Sequence, residues 1–313
     1  MRAATFFDGE GWREGVVVLD GERMLLRDEP AASDVPRLDG MIVGGFTDHH
    51  VHLQLVEHER PAGSRLGRVV DLGGDPGVVA SYASAARIDF AGAFLTPVGG
   101  YPSDRSWTPA GSFREIASPG DAVAAVAEMA DAGASCIKVA SNSSAGPVFD
   151  DIVFRVVVEA AGARGLTVVA HAEGRGEAQR VARLGAATLA HAPFTERLTD
   201  DEIAEQAASV CWISTLAIHA EADLHVALDN VRRFHAAGGA VRYGTDMGNG
   251  PTPVDVNPLE VAALRDAGLD DIALLRALAP ADPRDPASVL LVLPHRGADP
   301  TLARPLTPAD LEA

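Results

Sequence analysis

The spacing of apolar positions divides the chain into two regimes. Residues 1–43 carry short strand-like stretches, Ala3–Phe7, Gly15–Leu19 and Arg23–Leu26, separated by Asp-Gly and Gly-Glu pairs, which predicts a small layer of strands joined by tight turns. From about residue 40 to residue 280 the pattern becomes short apolar runs alternating with segments of helical spacing. The runs are Met41–Leu53, Val69–Leu72, Ala91–Pro97, Ser135–Ala140, Leu166–His171, Ala187–His191, Val210–Leu216 and Ala240–Asp246. Several are continuously apolar, as parallel strands covered on both faces must be. Eight such strands in roughly 240 residues match the size of a (β/α)8 barrel of the TIM type. Residues 286–293 return to strand character and are expected to pair with the N-terminal layer.

Helix boundaries are legible between several of these runs. Asp121 is expected to cap a helix that passes through Val126 and Met129 to Gly133. Asp150 or Asp151 starts a second helix that ends near Gly165. Thr199-Asp200-Asp201-Glu202 matches a capping box ahead of Ile203. The stretches after the first and second runs are weakly patterned.

Composition narrows the classes. The chain has 313 residues, is 47% hydrophobic and carries 44 acidic against 26 basic residues, a formal charge of −18. Nucleic acid and anionic membrane would be repelled, which leaves a small molecule as the expected partner and a homo-oligomer open. Cys136 and Cys211 both lie in apolar runs, which suits buried thiols in a reducing compartment. The N-terminal residues form no apolar leader and no run reaches membrane-spanning length, so the expected location is the cytoplasm.

Of the 26 basic residues only Lys138 is a lysine, and it lies within an apolar run, Gly133-Ala134-Ser135-Cys136-Ile137-Lys138-Val139-Ala140. A lysine can be neutral and nucleophilic at accessible pH; an arginine cannot. An unpaired buried ammonium is costly, so this amine should be modified, paired or neutral.

In a barrel, chemistry belongs at the C-terminal strand ends. The first run closes on Asp48-His49-His50-Val51-His52, and a strand points His50 and His52 to the same side, as chelation of one ion requires. Lys138, His171, His191 and Asp246 occupy the same relative place on later runs. Each alone has an ordinary structural explanation; six together would need that explanation six times.

These motifs resemble the amidohydrolase superfamily. Gly44 through His52 is similar to its strand-one signature, Val169-Ala170-His171-Ala172-Glu173 and Leu189-Ala190-His191 to its fifth- and sixth-strand histidines, and Tyr243-Gly244-Thr245-Asp246 to its eighth-strand aspartate. Gly133 through Val139 resembles the segment of members with a carboxylated lysine, and Thr96-Pro97-Val98-Gly99-Gly100 and Leu198 through Ile203 have the flavour of the imidazolonepropionase-like and prolidase-like branch. The resemblance implies a barrel over 44–284 flanked by a small β-sandwich from 1–43 and 285–313. It implies that carbon dioxide adds to Lys138, giving an anionic bridge between two divalent ions. His50, His52 and Asp246 would hold one ion, His171 and His191 the other. Such ligands suit zinc best, with manganese, iron, cobalt and nickel as alternatives.

The implied reaction is hydrolysis of a C–N bond in a small amide, cyclic amide or imide, N-acyl amino acid or dipeptide by a metal-activated water. Asp246 would take the proton of the water and pass it to the leaving nitrogen, and His191 would orient substrate if the second ion were absent. Tyr101, Ser141, Asn142, Thr215, His219 and Asn249 fall just past predicted strand ends and are the candidate substrate contacts. His49 and His219 also suit packing or loop roles. His58, His225, His235 and His295 fall on helical or terminal segments and are expected to face solvent. The alternatives are a mononuclear zinc deaminase, which usually has a glutamate three residues after the fifth-strand histidine where this chain has Glu173 two after His171; a lactonase; a Schiff-base lyase acting through Lys138; and a non-catalytic relative.

Overall fold

A computed structural model describes residues 1–21, 23–57, 63–82, 86–250 and 252–312. The chain opens with strands β1 (Arg2–Phe7), β2 (Trp12–Asp20), β3 (Arg23–Arg27) and β4 (Arg37–Gly44). Ten strands follow: β5 (Phe46–Val51), β6 (Leu66–Asp71), β7 (Arg87–Phe90), β8 (Phe94–Pro97), β9 (Phe113–Ile116), β10 (Ile137–Asn142), β11 (Val168–Glu173), β12 (Thr188–Leu189), β13 (Cys211–Ile213) and β14 (Ala240–Arg242). β15 (Leu290–Leu293) and β16 (Arg304–Pro305) close the chain. The helices are α1 (Pro76–Ala80), α2 (Pro119–Asp131), α3 (Asp151–Gly162), α4 (Glu177–Arg183), α5 (Asp200–Ala207), α6 (Glu221–Ala236), α7 (Pro258–Asp266) and α8 (Asp271–Leu278).

Both chain ends build one six-stranded sheet, ordered β16-β15-β4-β1-β2-β3. The tail joins it as expected, with Leu291 opposite Val43 in an antiparallel pair. Its apolar layer is Ala4, Phe6, Val17, Leu26, Leu38, Ile42, Leu290, Val292 and Leu306. The run Met41–Leu53, expected as one strand, is two. β4 lies in this terminal sheet, and β5 starts a different one. The break is at Gly45, where a Cβ would stand 2.7 Å from the Gly67 Cα, so the backbones there meet closer than any side chain allows.

The remaining strands form a parallel three-stranded sheet, β5-β6-β7, and a parallel seven-stranded sheet, β14-β13-β12-β11-β10-β8-β9. The architecture is mixed α/β, with helices packed outside the strands. Backbone bonds link the two sheets at both ends: Ser135 N donates to Phe90 O at 2.8 Å, His49 N to Tyr243 O at 3.1 Å and His52 N to Met247 O at 2.7 Å. β9 was not anticipated, because Phe113–Ile116 alternates too briefly to stand out. The runs around His191 and Asp246 are shorter as strands than expected. β12 ends two residues before His191 and β14 four before Asp246.

Val70, Leu72, Ala91, Cys136, Val169, Ala190 and Ile213 pack as a layer inside the strands. Two residues beyond Cys136 and Val169, on the same side of their strands, come Lys138 and His171. The site therefore stands on an apolar floor. Cys136 is buried as expected, Cys211 only partly, and both thiols are free.

Local signals explain the helix starts. Thr199 and Glu202 form both bonds of the capping box, and Asp150 caps α3. Asp121 is not the cap of α2. Ser118 is: its hydroxyl accepts from Asp121 N and donates to Asp121 Oδ2 at 2.9 Å. Trp212 is fully buried, stacks on Phe234 at 3.8 Å and donates its indole N–H to Gln206. Trp212→Ala is expected to cost about 3–5 kcal/mol in urea unfolding; a loss below about 1 kcal/mol would contradict this packing role. Among the described residues, no helix is long and apolar enough to cross a membrane.

Candidate metal centre

The six residues singled out in sequence are all buried, and His50, His52, Lys138, His171, His191 and Asp246 all line one cavity of about 420 Å³. Their imidazoles form a continuous series: ring centroids are 5.1 Å apart for His52 and His50, 4.8 Å for His50 and His191, and 4.9 Å for His191 and His171.

Asp246 faces the first pair. Its Oδ1 is 3.0 Å from His50 Nε2 and 3.1 Å from His52 Nε2, and those two nitrogens are 3.3 Å apart. The other ring nitrogens are committed. His50 Nδ1 lies 2.8 Å from the Ala190 carbonyl, and His52 Nδ1 3.1 Å from the Gly73 carbonyl. A carbonyl only accepts, so each Nδ1 carries the proton and each neutral ring keeps its lone pair on Nε2. Two lone pairs and a carboxylate oxygen repel at such distances unless a proton or a metal cation lies among them. The donor set therefore fits a divalent metal, with the outer carbonyls fixing the tautomers. His50, His191 and Asp246 also bring one ligand atom each within 4.8 Å of one another.

On the other side, His171 Nε2 meets Glu173 Oε2 at 3.1 Å, so this nitrogen carries the proton and leaves Nδ1 as the free donor atom. His191 Nδ1 is 2.9 Å from the Thr215 hydroxyl. Lys138 is 1% exposed, and its Nζ makes no hydrogen bond or ion pair among the described residues. Burial, partly offset by Asp246, lowers its pKa to about 8.

Burial also pushes His50 down to about 4 and holds His191 well below the ordinary imidazole value. His52 is equally buried, but Asp246 and Asp71 outweigh burial and raise it. Burial opposes charge on Asp246 too; the adjacent His50 and His52 overcome it and hold the carboxyl well below the usual range.

Beneath this set, Asp48 accepts from His50 N, Thr245 N and, at 2.6 Å, the Thr245 hydroxyl. It ties the end of β5 to the segment that carries Asp246. Asp246 and Thr215 both have left-handed backbone, with φ of +52° and +45°. Non-glycine residues adopt this at a cost of roughly 1–3 kcal/mol each when the surroundings enforce it.

Of the six candidate substrate contacts, Tyr101, His219 and Asn249 line the cavity; Ser141, Asn142 and Thr215 do not. Ser141 and Asn142 belong to β10 itself. They are buried, and donate to Glu177 and Glu173 at 2.7 Å each. Asn249 donates to Asp246 Oδ2 at 3.0 Å, so it also orients that carboxylate. His49 is packed against the Tyr243 carbonyl, pushed down to about 3 by burial, and is outside the cavity. His225 and His295 are exposed, His235 is half-buried, and His58 lies outside the described residues. Sequence reasoning missed the apolar wall of Leu55, Phe94, Trp107, Phe194 and Ile218.

Several solved structures share this architecture. An amidohydrolase matches over 99% of this chain and 93% of its own at 17% identity, with a TM-score of 0.68. The fold is that of the amidohydrolases. A. niger ochratoxinase matches over 97% and 94% of the two chains at 15% identity and a TM-score of 0.70. A prolidase complexed with N-methylphosphonate-L-proline matches over 98% and 97% at 18% identity and 0.67. No family model and no curated protein matches the sequence.

Proposed function

We propose that this chain is a binuclear metal-dependent amidohydrolase, its two parallel sheets forming one (β/α)8 barrel, that hydrolyses the C–N bond of a small amide, cyclic amide or N-acyl compound. The observation that carries this reading is the convergence of three potential ligand atoms, His50 Nε2, His52 Nε2 and Asp246 Oδ1, which one divalent cation would satisfy together. The neighbouring prolidase and ochratoxinase folds support it.

His50, His52 and Asp246 would hold one ion, and His171 Nδ1 and His191 the other, with zinc the favoured metal. Lys138 would bridge them. Its lowered pKa makes the neutral amine accessible, and carbon dioxide adds to that nitrogen with loss of one proton to give an anionic carbamate. When bound, the ions polarise the scissile carbonyl and make a water acidic enough to attack near neutral pH. Asp246 would take the proton of that water and deliver it to the leaving nitrogen, with Asn249 fixing its second oxygen. Thr215 sets the orientation of His191. The apolar wall excludes bulk water, which strengthens each of these electrostatic effects.

Metal analysis tests the assignment. Protein prepared with zinc and bicarbonate should hold two ions per chain. Chelation should abolish hydrolysis of an amide panel, and zinc should restore it. One ion per chain with deamination would establish the mononuclear alternative, and full turnover by chelated protein would exclude a metal role.

A further inference from the structure

We propose that Glu173 is a specificity-determining residue: its free carboxylate oxygen receives a hydrogen-bond donor of the substrate, so the centre prefers amides bearing an ammonium or N–H group over those ending in a carboxylate. The assignment rests on the hydrolase reading only in calling the ligand a substrate.

Glu173 ends β11 and lines the cavity with its side chain 29% exposed. One oxygen is fully used: Oε2 accepts from Asn142 Nδ2 at 2.7 Å and faces His171 Nε2 at 3.1 Å. Those two donors lock the side chain. Oε1 has no partner among the described residues. A carboxylate so held is a preorganised acceptor, and charge-assisted bonds to it are roughly twice as strong as neutral ones.

Tyr101, His219 and Asn249 offer neutral acceptors there; the carboxylates among the lining residues are Glu173 and Asp246, and Asp246 faces His50 and His52. Phe94, Trp107 and Phe194 offer no acceptor, and Lys138 lies on the floor among the metal ligands. Beside the cavity lies Arg105, whose guanidinium stands 5.6 Å above the ring of the lining residue Tyr101. It does not line the cavity, and Asp104 already lies 3.3 Å from it. Arg105 is therefore already paired, and at Oε1 a substrate carboxylate would meet the like charge of Glu173. His219 supplies no positive charge there, because burial holds its ring below the ordinary value.

Trp107 lies in the wall, so its fluorescence reports occupancy in the metal-loaded protein. Three probes share one ring and differ in the distal group: benzylammonium, benzylurea and benzyl methyl ether. Benzylammonium is expected to bind at least ~10-fold more tightly than the ether, as a charge-assisted bond provides. Glu173→Gln should bring the two within about 3-fold. Benzylurea equal to benzylammonium would assign neutral N–H substrates; benzylurea equal to the ether would assign cationic ones. Equal affinity of all three for the native protein, no binding of any, or an unchanged preference in Glu173→Gln overturns the proposal. If Glu173 merely positions His171, the substitution moves all three affinities together. A protein that shows the Glu173-dependent preference yet hydrolyses no amide removes the hydrolase reading and leaves this one standing; a hydrolase without the preference does the reverse.

Discussion

Lys138→Arg is expected to abolish turnover and to lower the metal content of a folded protein. A guanidinium keeps its proton at any accessible pH and cannot add carbon dioxide, so the proposed bridge between two ions could not form and the charge would be positive. The loss should exceed the 10–100-fold that removal of an outer partner of a metal ligand costs. An arginine on this apolar floor is also a packing risk. Lys138→Met is the control, because an unbranched apolar chain of similar length suits a site that is 1% exposed. Both variants should lose metal by elemental analysis, and the methionine variant should keep the native circular dichroism and melting transition. Turnover retained by folded Lys138→Met with two ions bound would remove the lysine from the mechanism.

Asp246→Asn should be the second most damaging change. The amide is nearly isosteric but cannot hold a proton between water and leaving group, and it presents no charge to His50 and His52. General acid–base catalysis contributes typically 10²–10⁴-fold, so kcat should fall by at least about 100-fold. The two imidazoles should also feel the loss. Without the carboxylate only Asp71 is left to offset burial at His52, and its pKa should fall from its raised value, which NMR titration of the metal-free protein would record. A variant with native kcat would assign the proton transfer to another group.

The features legible in sequence share one property: a strand alternates its faces every residue. His50 and His52 therefore had to share a side, and Lys138 and His171 could be placed by counting along apolar runs. His191 and Asp246 were found by the same counting although both lie past the ends of short strands, where the chain bends at His191 and turns left-handed at Asp246. Other features depend on contacts between distant segments. Glu173 was notable only for its spacing from His171; that it grips the ring and Asn142 follows from the register of β10 against β11. Ser141 and Asn142 were expected in the pocket because β10 was read two residues short. Trp107 and Phe194 come from loops without periodicity, so no local pattern could have marked them. The division of Met41–Leu53 at Gly45 was hidden for a similar reason: two glycine backbones, at 45 and 67, touch where β5 begins beside β6, and apolarity alone does not register that.

The two left-handed residues carry a consequence for laboratory evolution. Asp246 and Thr215 hold unfavourable torsions beside the imidazoles they serve, so glycine at either position would relax the main chain while disarming the centre. Selection for thermal endurance alone would drift toward such inert survivors, whereas selection for turnover would hold both torsions in place.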